Sequence, residues 1–138
     1  HQIVELQGYA YQYVKTIQKY FYGWEEHTLD GQMVKIATPE KALIDMIQYH
    51  RTEYTADVVI EKLQEYQEML DFDRLQTYQE RANLATQRIF GFFLDTLQID
   101  SGRLWLSARQ GTAVSKLTPD SRAYSAKWRL YYEPALIH

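Results

Sequence analysis

Val34-Lys35-Ile36-Ala37-Thr38-Pro39-Glu40-Lys41-Ala42-Leu43-Ile44-Asp45 reads as a strand that runs into a capped helix. Val34 and Ile36 alternate with Lys35, the period of a half-buried strand. Thr38 offers a hydroxyl that can accept from the first helical turn. Pro39 falls at the first helical position, where no N–H is needed. Glu40 sits in that turn, at the positive end of the helix dipole. Leu43, Met46, Ile47 and His50 then recur at helical spacing. The stretch is a junction, with strands expected before it and helices after it.

Upstream, Tyr9, Tyr11 and Tyr13 alternate with Ala10, Gln12 and Val14, and Tyr20, Tyr22 and Trp24 alternate with Phe21, Gly23 and Glu25. Period-2 aromatic rows are strand signals. Asp30-Gly31 is a strong hairpin turn. Strands are expected near 10–18, 20–28 and 32–37. The row of Tyr9, Tyr11, Tyr13, Tyr20, Tyr22 and Trp24 is either core beneath the helices or a protein-docking face, since Tyr packs its ring while its hydroxyl stays wet.

Downstream, four helices are expected: 39–50; about 55–69, with Val59, Leu63, Tyr66 and Leu70 on one stripe; one starting after Asp71, a good cap; and about 83–98. In the last, Ala85, Ile89, Phe92, Phe93 and Leu97 form a wide apolar face, and Phe90 and Leu94 cover a second. A helix apolar on most sides is buried on most sides, so it reads as the central helix. Gly91 within it costs roughly 1 kcal/mol against Ala, which implies a close helix–helix approach. Ala113–Leu117 and Trp128–Tyr132 read as short strands placed to extend the N-terminal sheet. The expected fold is α+β, one domain over 1–138: N-terminal antiparallel strands, a four-helix cluster, and short C-terminal strands.

The chain has 138 residues, 46% of them hydrophobic, which suits a single globular domain. No apolar run reaches the length of a membrane span. Cys is absent, which removes disulfides and thiolate metal sites and fits a reducing cytoplasm. Charge is unevenly spread. Residues 38–100 carry six Lys/Arg against twelve Asp/Glu, whereas 101–138 carry six against two. So acidic a middle is a poor surface for DNA. The basic tail (Arg103, Arg109, Lys116, Arg122, Lys127, Arg129) either supplies auxiliary phosphate contacts or folds back on the acidic helices and neutralises them.

Signals of catalysis are sparse. There is no Gly-rich phosphate loop, nucleophile elbow or His pair at metal spacing. His27 beside Glu25 and Glu26 falls short of the three or four convergent ligands a Zn site needs. His50 complements a helix C-terminus. Asp45, Asp71, Asp73 and Asp95 read as a cap and surface or paired carboxylates rather than an acid–base cluster. No catalytic, metal or cofactor residues are assigned. Asp45 and Arg88 lie on apolar helices, where a charge needs a partner, so an ion pair between the first and fourth helices is expected.

Three segments resemble the AbiEi-type antitoxins and transcriptional regulators of type IV toxin–antitoxin systems. Val34 to Asp45, with Thr38, Pro39, Glu40 and Asp45, is similar to that family's junction motif. Leu70-Asp71-Phe72-Asp73-Arg74-Leu75, then Arg88-Ile89-Phe90-Gly91-Phe92-Phe93-Leu94-Asp95, resemble a second. Lys116-Leu117-Thr118-Pro119 and Lys127-Trp128-Arg129-Leu130 resemble a third. The resemblance spans roughly 31–132. It implies a non-enzymatic, cytoplasmic regulator that counteracts a nucleotidyltransferase-like toxin and supports operator binding by an N-terminal winged helix. Residues 1–30 read as strands, so that winged helix is expected to lie outside this chain. The resemblance implies operator DNA and the toxin as partners, no membrane, and admits a homodimer. The alternatives are a protein-interaction or dimerisation module of an unrelated system and a small-ligand-binding domain.

Overall fold

The computed structural model describes residues 28–29, 32–33, 38–108 and 111–136. The expected strands near 10–18, 20–28 and 32–37 lie outside these residues, apart from Thr28 and Gln32-Met33. So does the Tyr9–Trp24 aromatic row. Two short strands, β1 (Thr28–Leu29) and β2 (Gln32–Met33), pair antiparallel on either side of Asp30-Gly31, with Leu29 opposite Gln32. No larger N-terminal sheet stands among the described residues.

Five helices follow. Helix α1 (Pro39–Tyr49) starts as the junction motif dictates: Thr38 Oγ1 accepts from Lys41 N at 3.3 Å, with Pro39 in the first turn. Helix α2 (Glu53–Glu65) begins two residues earlier than hydrophobic spacing indicates. Thr52 and Thr55 cap it reciprocally, Thr55 N donating to Thr52 Oγ1 at 3.1 Å and Thr52 N to Thr55 Oγ1 at 2.8 Å. This is a capping box with Thr in place of the usual Glu. Asp71 caps α3 (Phe72–Gln79), and Asn83 caps α4 (Leu84–Thr96). Helix α5 (Gly102–Ala108) is additional to the expected four. It has seven residues and opens on a glycine, so it lacks the length for a periodic signal.

The core joins Leu43, Met46 and Ile47 of α1 to Val59 and Leu63 of α2, Leu75 of α3, and Ile89, Phe90, Phe93 and Leu94 of α4. Helix α4 is buried along the whole run Thr86–Leu94 and touches α1, α3, α5 and the C-terminal strands, so it is the central helix its sequence announces. No helix among the described residues is long and apolar enough to cross a membrane.

The C-terminal strands form a sheet of their own, in the order β3 (Ser115–Lys116), β5 (Leu130–Tyr132), β4 (Ala123–Ser125). β3 runs parallel to β5 and β4 antiparallel to it. They do not extend β1 and β2, as the sequence suggested. β4 is too short to show alternation. The expected strand at 128–132 starts only at Leu130, because Trp128 leaves the strand path and turns onto α4.

That turn corrects the reading of Gly91. A Cβ built on Gly91 would lie 2.3 Å from Cη2 and Cζ3 of Trp128. What approaches Gly91 is an indole, not another helix. Asp95, one turn on, accepts from Trp128 Nε1–H at 2.8 Å. Phe92 stacks on Tyr132 with ring centroids 4.4 Å apart. One stripe of α4 thus carries the sheet.

In the parent, Gly91→Ala should destabilise by about 1–3 kcal/mol through overpacking, although Ala is the better helix former by about 1 kcal/mol. In a Trp128→Leu background the same substitution should become neutral or stabilising. Denaturant titrations of the four proteins check this sign reversal. A parent made more stable by Gly91→Ala contradicts the packing.

Candidate functional site

The charged residues that the sequence singled out are engaged in the architecture. Glu40 is 2% exposed, and its carboxylate receives Arg74 Nη1 at 3.4 Å, joining α1 to α3. Burial pushes the Glu40 carboxyl up, and Arg74 offsets this only in part. Asp71 Oδ1 accepts from Arg74 N at 3.0 Å as the α3 cap. The expected Asp45–Arg88 ion pair does not form. Asp45 sits near the surface and pairs with Lys41 one turn back, at 3.0 Å. Arg88, 1% exposed, donates from Nε to Ala108 O at 3.1 Å and from Nη1 to Ala113 O at 2.7 Å and Ser115 Oγ at 3.0 Å. Its guanidinium fork holds the end of α5 and the approach to β3, a task for carbonyl acceptors that an ion-pair search overlooks. Asp95 gathers Trp128 Nε1, Lys127 Nζ at 2.8 Å and the Ser101 hydroxyl. Burial works to raise its pKa, but hydrogen bonds from Lys127, Ser101 and Trp128 and the Lys127 charge outweigh it, so the carboxyl is held below the usual aspartate value.

The basic tail is divided in its roles. Arg103 donates to Glu80 Oε1 at 2.5 Å and to Thr77 Oγ1 at 3.0 Å on and beside α3. Lys127 goes to Asp95, and Arg129 donates to Gly111 O. For Arg103 and Lys127, folding back on the acidic helices is the observed outcome. Arg109 lies outside the described residues. Lys116 and Arg122 remain exposed and without ion pairs among the described residues. The tail therefore does not present six cations along one strip.

Lys116 opens the most distinctive surface. In the sheet register Lys116 lies opposite Tyr131, which lies opposite Tyr124. The three project from the face away from Leu130, which is fully buried. Lys116 Nζ stands 5.9 Å from the Tyr131 ring centroid, and the Tyr131 and Tyr124 rings are 4.8 Å apart. On its other side Lys116 lines a groove of about 610 Å³ between β3 and the end of α1, together with Gln48, Tyr49, Arg51, Leu117, Thr118 and Pro119. Gln48 Oε1 accepts from Asn83 N at 2.9 Å, which fixes the amide and leaves Nε2 as a donor. The Thr118 hydroxyl is committed to Glu133 at 3.0 Å. Arg51 keeps solvent access, yet the atoms crowding its guanidinium push its pKa down. No local pattern announces this groove: Arg51 follows a helix as an ordinary polar residue, and Lys116 is one member of a diffuse basic tail.

Asp45, Asp71, Asp73 and Asp95 do not converge, and among the described residues no three His, Asp or Glu side chains are grouped to hold a metal. His27 and its neighbours Glu25 and Glu26 lie outside those residues. His50 closes α1, its backbone N–H donating to Met46 O at 3.0 Å. Compared with protein-family models, curated proteins and solved structures, the chain finds no match.

Removing Arg88 strands two carbonyls, so Arg88→Leu should cost about 3 kcal/mol or more. Asp45→Ala breaks only a surface pair and should cost less than about 0.5 kcal/mol. Thermal melts of the two variants distinguish a buried clamp from an exposed charge.

Asp95 sets an acid limit. A folded-state pKa below the unfolded value adds stability above the unfolded pKa, and that stability is lost as pH falls through the folded one. The parent should weaken as pH falls below the ordinary aspartate value of about 4, whereas Asp95→Asn, weaker at neutral pH, should lose less over the same fall. Denaturant midpoints measured across that range give the comparison.

Proposed function

We propose that this chain is a non-enzymatic antitoxin and transcriptional-regulator domain of the type IV kind, acting in the cytoplasm against a nucleotidyltransferase-like toxin. What supports the reading is that the residues carrying the family resemblance are one another's partners. Glu40 of the first motif reaches Arg74 in the second. Arg88, Gly91 and Asp95 of the second meet Ser115, Trp128 and Lys127 in and around the third. Motifs that interlock across more than eighty positions favour a shared scaffold over three chance matches. On this reading the motif residues build the domain, and antitoxin action falls to surface positions outside them.

The domain's own contribution to DNA binding is small. Specific readout needs side chains set in a groove, usually by a recognition helix. Residues 38–100 carry six cations against twelve acidic groups, and Arg74, Arg88 and Lys62 among those cations are already engaged. Operator specificity belongs, as the resemblance implies, to a winged helix.

Two measurements test the reading. Co-expression with a nucleotidyltransferase-like toxin encoded beside this gene should restore growth, and failure to do so by folded, soluble protein overturns the proposal. In a titration at physiological salt, residues 1–138 should distinguish the gene's own promoter from a scrambled duplex by less than about tenfold, roughly 1.4 kcal/mol. Larger discrimination would place the DNA-reading surface in this domain.

A further inference from the structure

We propose that the groove between the end of α1 and β3 is a nucleotide-binding site, with a diphosphate held between Arg51 and Lys116 and the base against the Tyr49 ring. The inference is independent of the antitoxin reading. It starts from the disposition of the cations. Lys41, Lys62, Arg74, Arg103 and Lys127 each have a carboxylate within ion-pair distance. Arg88 is held by carbonyls, and Arg129 donates to one. Among the described residues Arg51, Arg81, Lys116 and Arg122 have no such partner, and two of these four line the same groove. Among the described residues no carboxylate lines it with them, and Glu133 touches its wall only through the Thr118 hydroxyl. Two like charges brought to one concave surface without a counter-charge repel each other, and a bound anion relieves that.

The backbone adds a donor. Ser115 N and Leu117 N donate to Arg129 O and Tyr131 O of the β5 side, both at 2.8 Å. Lys116 alternates with them, so its N–H turns away from β5, toward the side of β3 on which no described strand pairs. A main-chain N–H, an ammonium and a guanidinium are each donors suited to phosphate oxygens.

The rest of the lining suits the organic part of the ligand. Tyr49 is 67% exposed, which leaves its ring face open to stack on a planar group. Pro119 gives a second apolar surface, and Gln48 Nε2 is positioned by the bond its oxygen accepts from Asn83. A volume of about 610 Å³ falls within the range of small-molecule sites. The acidic helices around the groove argue against a long polyanion, whose remaining phosphates they would repel. A compact ligand with one diphosphate group and one flat ring keeps its charge between the two cations.

The test is calorimetric titration of the 138-residue chain with adenosine diphosphate in phosphate-free buffer, alongside pyrophosphate and adenosine. Adenosine diphosphate should bind at one site per chain, at least about tenfold more tightly than either fragment. Arg51→Gln and Lys116→Gln should each weaken it by about tenfold or more with unchanged melting temperature. Tyr49→Ala should weaken adenosine diphosphate but leave pyrophosphate unaffected. Arg81→Gln, away from the groove, should change nothing. The proposal fails if adenosine diphosphate gives no binding at millimolar concentration, if pyrophosphate binds as tightly as it does, or if the Arg51→Gln/Lys116→Gln double variant binds like the parent.

Discussion

The six-membered ring of Trp128 occupies the space that any side chain at position 91 would fill, and its N–H is fixed by a carboxylate one helical turn away. These two constraints act together. A glycine in a central helix sacrifices stability, and it is recovered because the indole packs against the bare backbone and buries its polar atom against Asp95. Once the ring is seated, Leu130 reaches the core, Tyr132 stacks on Phe92, and Ser115 comes within reach of Arg88. The helix that organises the bundle therefore also organises the sheet.

Much of the helical half was readable because its signals are local. Thr38-Pro39-Glu40 and Asp71 mark helix starts through caps formed within three residues, and the apolar run of α4 announces a helix buried on all sides. The failures share a cause. Arg88 and Asp45 are both charges on apolar helices, a pattern that reads as an ion pair, but carbonyls in a chain segment of no recognisable pattern satisfy the guanidinium instead. Gly91 correctly signalled a close approach, yet its partner lies 37 positions away in a stretch that reads as strand. Helix α5 and strand β4 are too short to carry a period. The Arg51–Lys116 groove depends on the sheet's placement against α1, which no local signal encodes.

The charge pattern gains a physical meaning in the fold. A strongly acidic middle and a basic tail could repel or attract different partners, but the tail spends Arg103 and Lys127 on Glu80 and Asp95. Among the described residues, neutralisation inside the domain leaves a mixed surface on which cations without partners are few. Those few are informative because the rest are matched. A net charge, or a count of Lys and Arg, conceals the distinction between a cation that holds the protein together and one that is free to hold something else.

The way the sheet is attached has a consequence for motion. Arg88, Gly91, Phe92 and Asp95 share one face of a single helix, so among the described residues β3, β4 and β5 are fastened to α4 along one line. A unit fastened along one line can come away as a whole while the helices stay folded. The amides of these three strands would then lose their protection against solvent hydrogen together, through one shared opening event, ahead of those in α1 and α4. Local unfolding of this kind is graded by how firmly one indole stays seated, which makes the C-terminal sheet the soft half of a two-part domain.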